Sequence, residues 1–220
     1  MSDAVDFGQT VFLNCPYDDD YRPLRGALIF TVLDCGLVPC LASDRMDSGQ
    51  IRLEKIRDLI RTSRFSVHDI SRMEPLRSGD LPRFNMPFEL GLDLGCRFFG
   101  EPPLRTKQCL ILESERDRYR YALSDISGND IRAHKGDARA LTGEVRNWLR
   151  VTTGNNLPSG SRIWARYNQF SSFLPISLAG AGFTKEEIQS LESAELIQSA
   201  LSWIRQNPLP KEGAAVRGHG

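Results

Sequence analysis

Among the residues of this chain that can carry chemistry, Glu89 has the most suggestive setting. It sits in Phe84-Asn85-Met86-Pro87-Phe88-Glu89-Leu90-Gly91, a stretch with no other charged side chain. Proline at Pro87 suits a first helical turn, so a helix is expected to start near Met86. Asn85 and Glu89 lie four apart and therefore share a face of that helix. A lone carboxylate there can stabilise or capture a developing cation, or simply complement the helix dipole. Three other groups bear on such a site. Asp69 ends a short apolar run and can bind ligand or cap a turn. Ser48, within Asp47-Ser48-Gly49-Gln50, can cap the next helix, leaving backbone amides for a phosphate. Arg22, Arg25, Arg45, Arg52 and Arg83 can neutralise a diphosphate.

The elements that must position these residues follow from hydrophobic pattern. Buried strands are expected at residues 10–15, 37–42, 65–70 and 108–112, with a short fifth at 131–134. Helices are expected after Asp18-Asp19-Asp20 up to Gly36, over 51–62, over 86–99 and over 138–150. Alternation of strand and helix over about 150 residues means an α/β fold, a parallel sheet with helices on both faces. Short connections favour the flavodoxin-like strand order 2-1-3-4-5, whose ligands bind beyond the carboxyl ends of strands 1 and 3. That topology nominates Asn14 to Asp20, His68 to Arg72 and the helix start at Met86 before any chemistry is considered. Residues 125–134 then read as a polar loop at the crevice edge, with Asp130 and His134 on it.

Residues 8–151 form the expected nucleotide-binding and catalytic domain. A linker follows over 152–161, then a helical appendage over 162–207 and a tail over 208–220. In the appendage one helix is expected over 162–174. A second opens at Thr184-Lys185-Glu186-Glu187, a capping pattern, and runs to about Gln206.

Composition narrows the classes. The chain has 220 residues with 28 basic and 28 acidic side chains, a net charge of zero. General nucleic-acid binding, which needs a basic excess, is not expected. Neither a membrane span nor a secretory leader is expected, which makes the cytoplasm the natural compartment. The five cysteines, Cys15, Cys35, Cys40, Cys96 and Cys109, are odd in number and irregular in spacing. With three histidines they make no zinc pattern and are expected to be reduced, buried side chains.

The segment Phe88-Glu89-Leu90-Gly91, preceded by Asn85 and following the third strand, resembles the bacterial TIR-like domains and nucleoside 2-deoxyribosyltransferases. Val11 to Tyr21 (VFLNCPYDDDY) is similar to their first strand and loop, which line the nucleotide site. The resemblance covers roughly residues 10–150. It implies that Glu89 is the catalytic carboxylate, acting as an N-glycosidic bond breaks. Taken with the fold reading, it makes Asn14, Tyr17, Asp18, Ser48, Asp69, Asn85 and Phe88 the residues expected to shape the substrate site. NAD is the first candidate substrate and no cofactor is needed. Such cleavage passes through an oxocarbenium-like state, and nicotinamide leaves neutral, so one carboxylate can suffice. Self-association and a role in antiphage defence are further implications of the resemblance, as is a non-catalytic nucleotide-binding module.

Two rivals come from the residues. A phosphatase loop needs five residues between its cysteine and arginine, and six separate Cys15 from Arg22. A receiver-type phosphoacceptor, using Asp18 to Asp20, Asp69, Ser114 and Lys135, shares the fold order but leaves Glu89 without a role.

Overall fold

The structure is a computed structural model and describes residues 6–44, 47–73 and 81–209. Arg45 and residues 210–220 of the expected tail lie outside the described residues. Five parallel strands form one sheet in the order β2-β1-β3-β4-β5, the flavodoxin-like order. They are β1 (Thr10–Asn14), β2 (Val38–Cys40), β3 (Phe65–Asp69), β4 (Gln108–Glu113) and β5 (Arg132–Ala133). The helices between them are α1 (Arg22–Asp34), α2 (Arg52–Thr62) and α3 (Asn85–Phe99), with α4 (Ala138–Thr153) after β5. Strands β1 and β3 are buried at every position, as expected for central strands covered on both faces. Strands β2 and β5, at the edges, are shorter than their apolar runs suggest.

Side chains alternate across the sheet. Leu13, Val67 and Leu112 point to the α1 and α4 side, where they join Leu28, Val32, Leu141 and Val145. Phe12 points to the other side and packs on Ile56 and Ile60 of α2. Register pairs Asn14 with His68 across β1 and β3. Both therefore lie on the α2 and α3 side.

The C-terminal part folds as α5 (Gly160–Gly180), α6 (Lys185–Gln189) and α7 (Ser193–Gln206). Helix α5 runs beyond the expected end at Leu174 and carries Pro175 inside it. The single helix expected after Thr184 is two, broken around Ser190–Glu192, and Thr184 and Glu187 form the expected capping box. Helices α5 and α7 pack on α1 and share its core. Phe30 stacks on Phe170 at 5.3 Å and lies 5.8 Å from Trp203. The Arg166 guanidinium grips the Asp34 carboxylate with bonds of 2.9–3.0 Å. This cover explains why α1 is buried on every side rather than along one stripe. Phe30→Ala is expected to cost about 3–5 kcal/mol, read as a shift in the urea midpoint.

All five cysteines are free; Cys15 and Cys35 are buried and the other three half-buried. No helix among the described residues is long and apolar enough to cross a membrane.

Candidate functional site

Helix α3 starts at Asn85, beyond the carboxyl end of β3, with Pro87 in its first turn. Its buried face carries Met86, Glu89, Leu90 and Asp93. The spacing of three and four thus sets Glu89 and Asp93 on one stripe, one turn apart. Glu89 faces a cavity of about 250 Å³ at the carboxyl ends of the strands. Asn14, Cys15 and Tyr17 line it from the end of β1 and the following loop. Ser43 enters from the segment after β2, Arg52 from the first turn of α2, and Arg83 and Asn85 from the approach to α3.

The Glu89 side chain is only 6% exposed. Its carboxyl makes no hydrogen bond or ion pair within 4 Å among the described residues. Burial pushes its pKa up to about 7, and the Arg52 guanidinium only partly opposes this. A carboxyl poised near neutrality in a cleft is a candidate functional group. Burial also pushes the Cys15 thiol well above its usual range, so it offers no thiolate at neutral pH.

A buried polar network holds this stretch of α3 against the sheet. The Asn14 amide donates 2.9 Å bonds to Met86 O and to His68 Nδ1. Because Met86 O can only accept, the amide must present its NH2 group there. His68 Nδ1 is then an acceptor, and Nε2–H donates to Asp93 at 2.8 Å. Ser66 donates to the same Asp93 oxygen, and the Lys107 ammonium lies 3.1 Å from the other. Lys107 also donates to Ile60 O and Ser63 O at the end of α2. Burial raises the Asp93 pKa, but the His68 bond, the Lys107 charge and the Ser66 bond prevail and hold it down to about 2. Sequence reasoning missed this network. Its signal was there: Ser66 and His68 alternate on one face of a buried strand, and Asp93 follows Glu89 by four.

The remaining candidates separate into those the cavity gathers and those it does not. Asn14, Tyr17 and Asn85 line it, as do Arg52 and Arg83 among the candidate arginines. The Arg25 guanidinium lies 5.2 Å over the Tyr17 ring and donates to Pro16 O. Asp69 does not line it. It is fully buried and shares the side of the sheet that Val67 faces, opposite Glu89. There it accepts from the Tyr21 hydroxyl and from Ser71 N at 2.9 Å, and His134 Nε2 lies 2.9 Å away. Gly136 N donates to His134 Nδ1, which leaves the proton on Nε2. Against the burial that raises it, these partners hold the Asp69 carboxyl below its usual pKa. Asp69 and His134 are therefore structural here, and Asp69 is closed to a phosphoryl donor.

Asp18 is also consumed. It caps the turn at Tyr21 N and takes two bonds from Arg72, at 3.0 and 3.2 Å. Arg22 pairs with Asp19. Ser48 is exposed, and the cap position of α2 is Ile51 without a side-chain bond, so Ser48 is not the expected cap. Asp47 instead accepts from Gly49 N in a local turn. Phe84 and Phe88 point outward and do not wall the cavity. A larger groove, about 660 Å³, runs beside β4 between α3 and α4, where the short β5 leaves off. Asp130 lines that groove, away from Glu89.

The chain matches no family model, no curated protein and no solved structure.

Proposed function

We propose that this chain cleaves the N-glycosidic bond of a nucleotide, with NAD the first candidate substrate and Glu89 the carboxylate that meets the ribosyl cation. The observation that carries the reading is the buried Glu89 carboxyl, without a partner among the described residues, in a cavity at the switch point of the sheet. In the reaction the bond between C1′ and the pyridinium nitrogen breaks. Its electron pair goes to nitrogen, and nicotinamide leaves neutral. The ionised Glu89 stabilises or captures the cation at C1′. Water then adds its oxygen to C1′ and releases a proton, giving ADP-ribose.

The cavity wall supports this substrate class over ordinary nucleosides. A purine or pyrimidine base leaves as an anion unless an acid protonates it. Among the described residues of the lining Glu89 is the one carboxylic residue, so a substrate that needs no second acid fits best. Asn85 and Tyr17 supply polar groups for the ribose. Arg52 and Arg83 bring positive charge for a diphosphate at the mouth. The cavity volume of about 250 Å³ holds the reacting end of a dinucleotide, and the rest lies across the opening.

The test is nicotinamide release from NAD by concentrated protein, with ADP-ribose followed alongside. Absence of both products refutes cleavage of NAD. The pH profile adds a second check. Only ionised Glu89 can serve, so kcat/KM is expected to rise with pH and level off above about 7. The bound pyridinium charge favours the carboxylate, so the corresponding limb in kcat is expected at lower pH. A kcat/KM that is flat from pH 5 to 8 would contradict the assignment of Glu89.

A further inference from the structure

The face of α3 that points away from the core is the wrong kind of surface for a solvated helix. At 100° per residue, Phe84, Phe88, Gly91, Gly95, Phe98 and Phe99 fall within an arc of about 100°. That arc lies opposite the buried Met86, Leu90 and Asp93 and holds no polar side chain. Phe84, Phe88, Phe98 and Phe99 are 64%, 56%, 63% and 86% exposed. Gly91 and Gly95 look onto open space; a methyl group on either would meet nothing within 4 Å. Their own fold therefore does not require glycine, and alanine would favour the helix by about 1 kcal/mol at each. Large apolar side chains around a glycine pair suit the close approach of another helix.

We infer that this face binds a second copy of the same helix, antiparallel about a twofold axis near Gly91 and Leu92. The stripe is in part its own complement under that operation: Phe98 falls against Asn85 and Gly91 against Leu92, and the other four residues pair among themselves. Reversal about this point sets Phe88 of one copy over the gap at Gly95 of its partner, and Phe84 against Phe99. Bulge meets hollow on both sides of the axis, as an isologous contact requires. At about 200 Å² per aromatic side chain, the four phenylalanines at their exposures offer at most about 500 Å² per copy. Covered completely, two copies bury about 1,000 Å², the size of a small interface and short of the roughly 1,200–2,000 Å² of a standard one. The stripe borders Asn85 and Glu89, so the partner stands at the cavity mouth. The inference rests on the surface alone and is independent of the proposed reaction.

Sedimentation velocity on the full chain tests it, with Gly95→Leu and Phe98→Glu alongside. Wild type is expected to be dimeric. Gly95→Leu fills the hollow and is expected to weaken the dimer about 30-fold or more, the scale of a lost interface centre. Its monomer is expected to keep its circular dichroism and to melt no lower than wild type, because leucine is the better helix former. Phe98→Glu is expected to be monomeric. A disulfide between the two Gly91→Cys positions, located by mass spectrometry, is expected under mild oxidation. A monomeric wild type, or one that instead binds phosphatidylcholine vesicles through this face, overturns the inference. So does a dimer that survives both substitutions unchanged.

Discussion

Glu89→Gln is expected to release no nicotinamide from NAD and, at pH 8, to be more stable than wild type. The two effects share a cause. Burial raises the folded-state pKa to about 7, against about 4.3 for an unfolded glutamate. Between these values the folded protein binds more proton than the unfolded chain. Stability therefore falls as pH rises from about 4 to about 7, and the full penalty persists above 7. At 1.36 kcal/mol per pKa unit the penalty is about 3–4 kcal/mol. Gln removes the charge and keeps the shape, so the gain should be near that size at pH 8 and vanish near pH 4. Thermal melts at the two pH values check it. Loss of turnover is expected to exceed 100-fold, the scale of removing one electrostatic stabiliser from a transition state. An inactive but stabilised variant would identify Glu89 as a group held in an unfavourable state for function. A variant that is destabilised at pH 8 would instead make Glu89 a structural residue.

Lys107→Met is expected to be the most damaging single change in the buried polar layer, at about 3–5 kcal/mol. Its ammonium is buried, neutralises Asp93 and donates to two carbonyls that end α2. Methionine fills the space but leaves a buried carboxylate with hydrogen bonds and no countercharge. The measurement is the denaturant midpoint of Lys107→Met, Asp93→Asn and the pair together. The double variant is expected to lose less than the sum of the single losses, because each single change strands the other's charge. Asp93 also gives acid lability a definite window. Its folded pKa is held near 2, so its stabilising share is complete above about 4 and lost as pH falls toward 2. Asp93→Asn is expected to flatten that part of the stability profile. Since Asp93 holds His68, and His68 and Asn14 hold the first turn of α3, the same network sets where Glu89 stands.

Much of this protein was legible in one dimension. Short apolar runs alternating with helical periodicity determine the strand order, because parallel strands with short crossovers have few ways to pack. That order puts the start of α3 at the switch point. Pro87 marks the first turn, so Glu89 could be placed beside Asn14 before any coordinates were known. Period-two alternation even carried a correction: Val67 and Asp69 must share a side that His68 does not.

Tertiary structure alone decided which polar residues remain available. Asp18 and Asp69 stood beside Glu89 as substrate-site candidates, yet Arg72 takes the first, and Tyr21 with His134 takes the second. Asp93, which no spacing argument selected, anchors the layer beneath the site. It alone also showed that α5 and α7 complete the core around α1. Local pattern reports which face of an element is buried, since burial follows the period of the helix or strand. It does not report which charge meets which across tens of residues. That pairing depends on the packed distances between elements, and those distances leave Glu89 without a partner among the described residues.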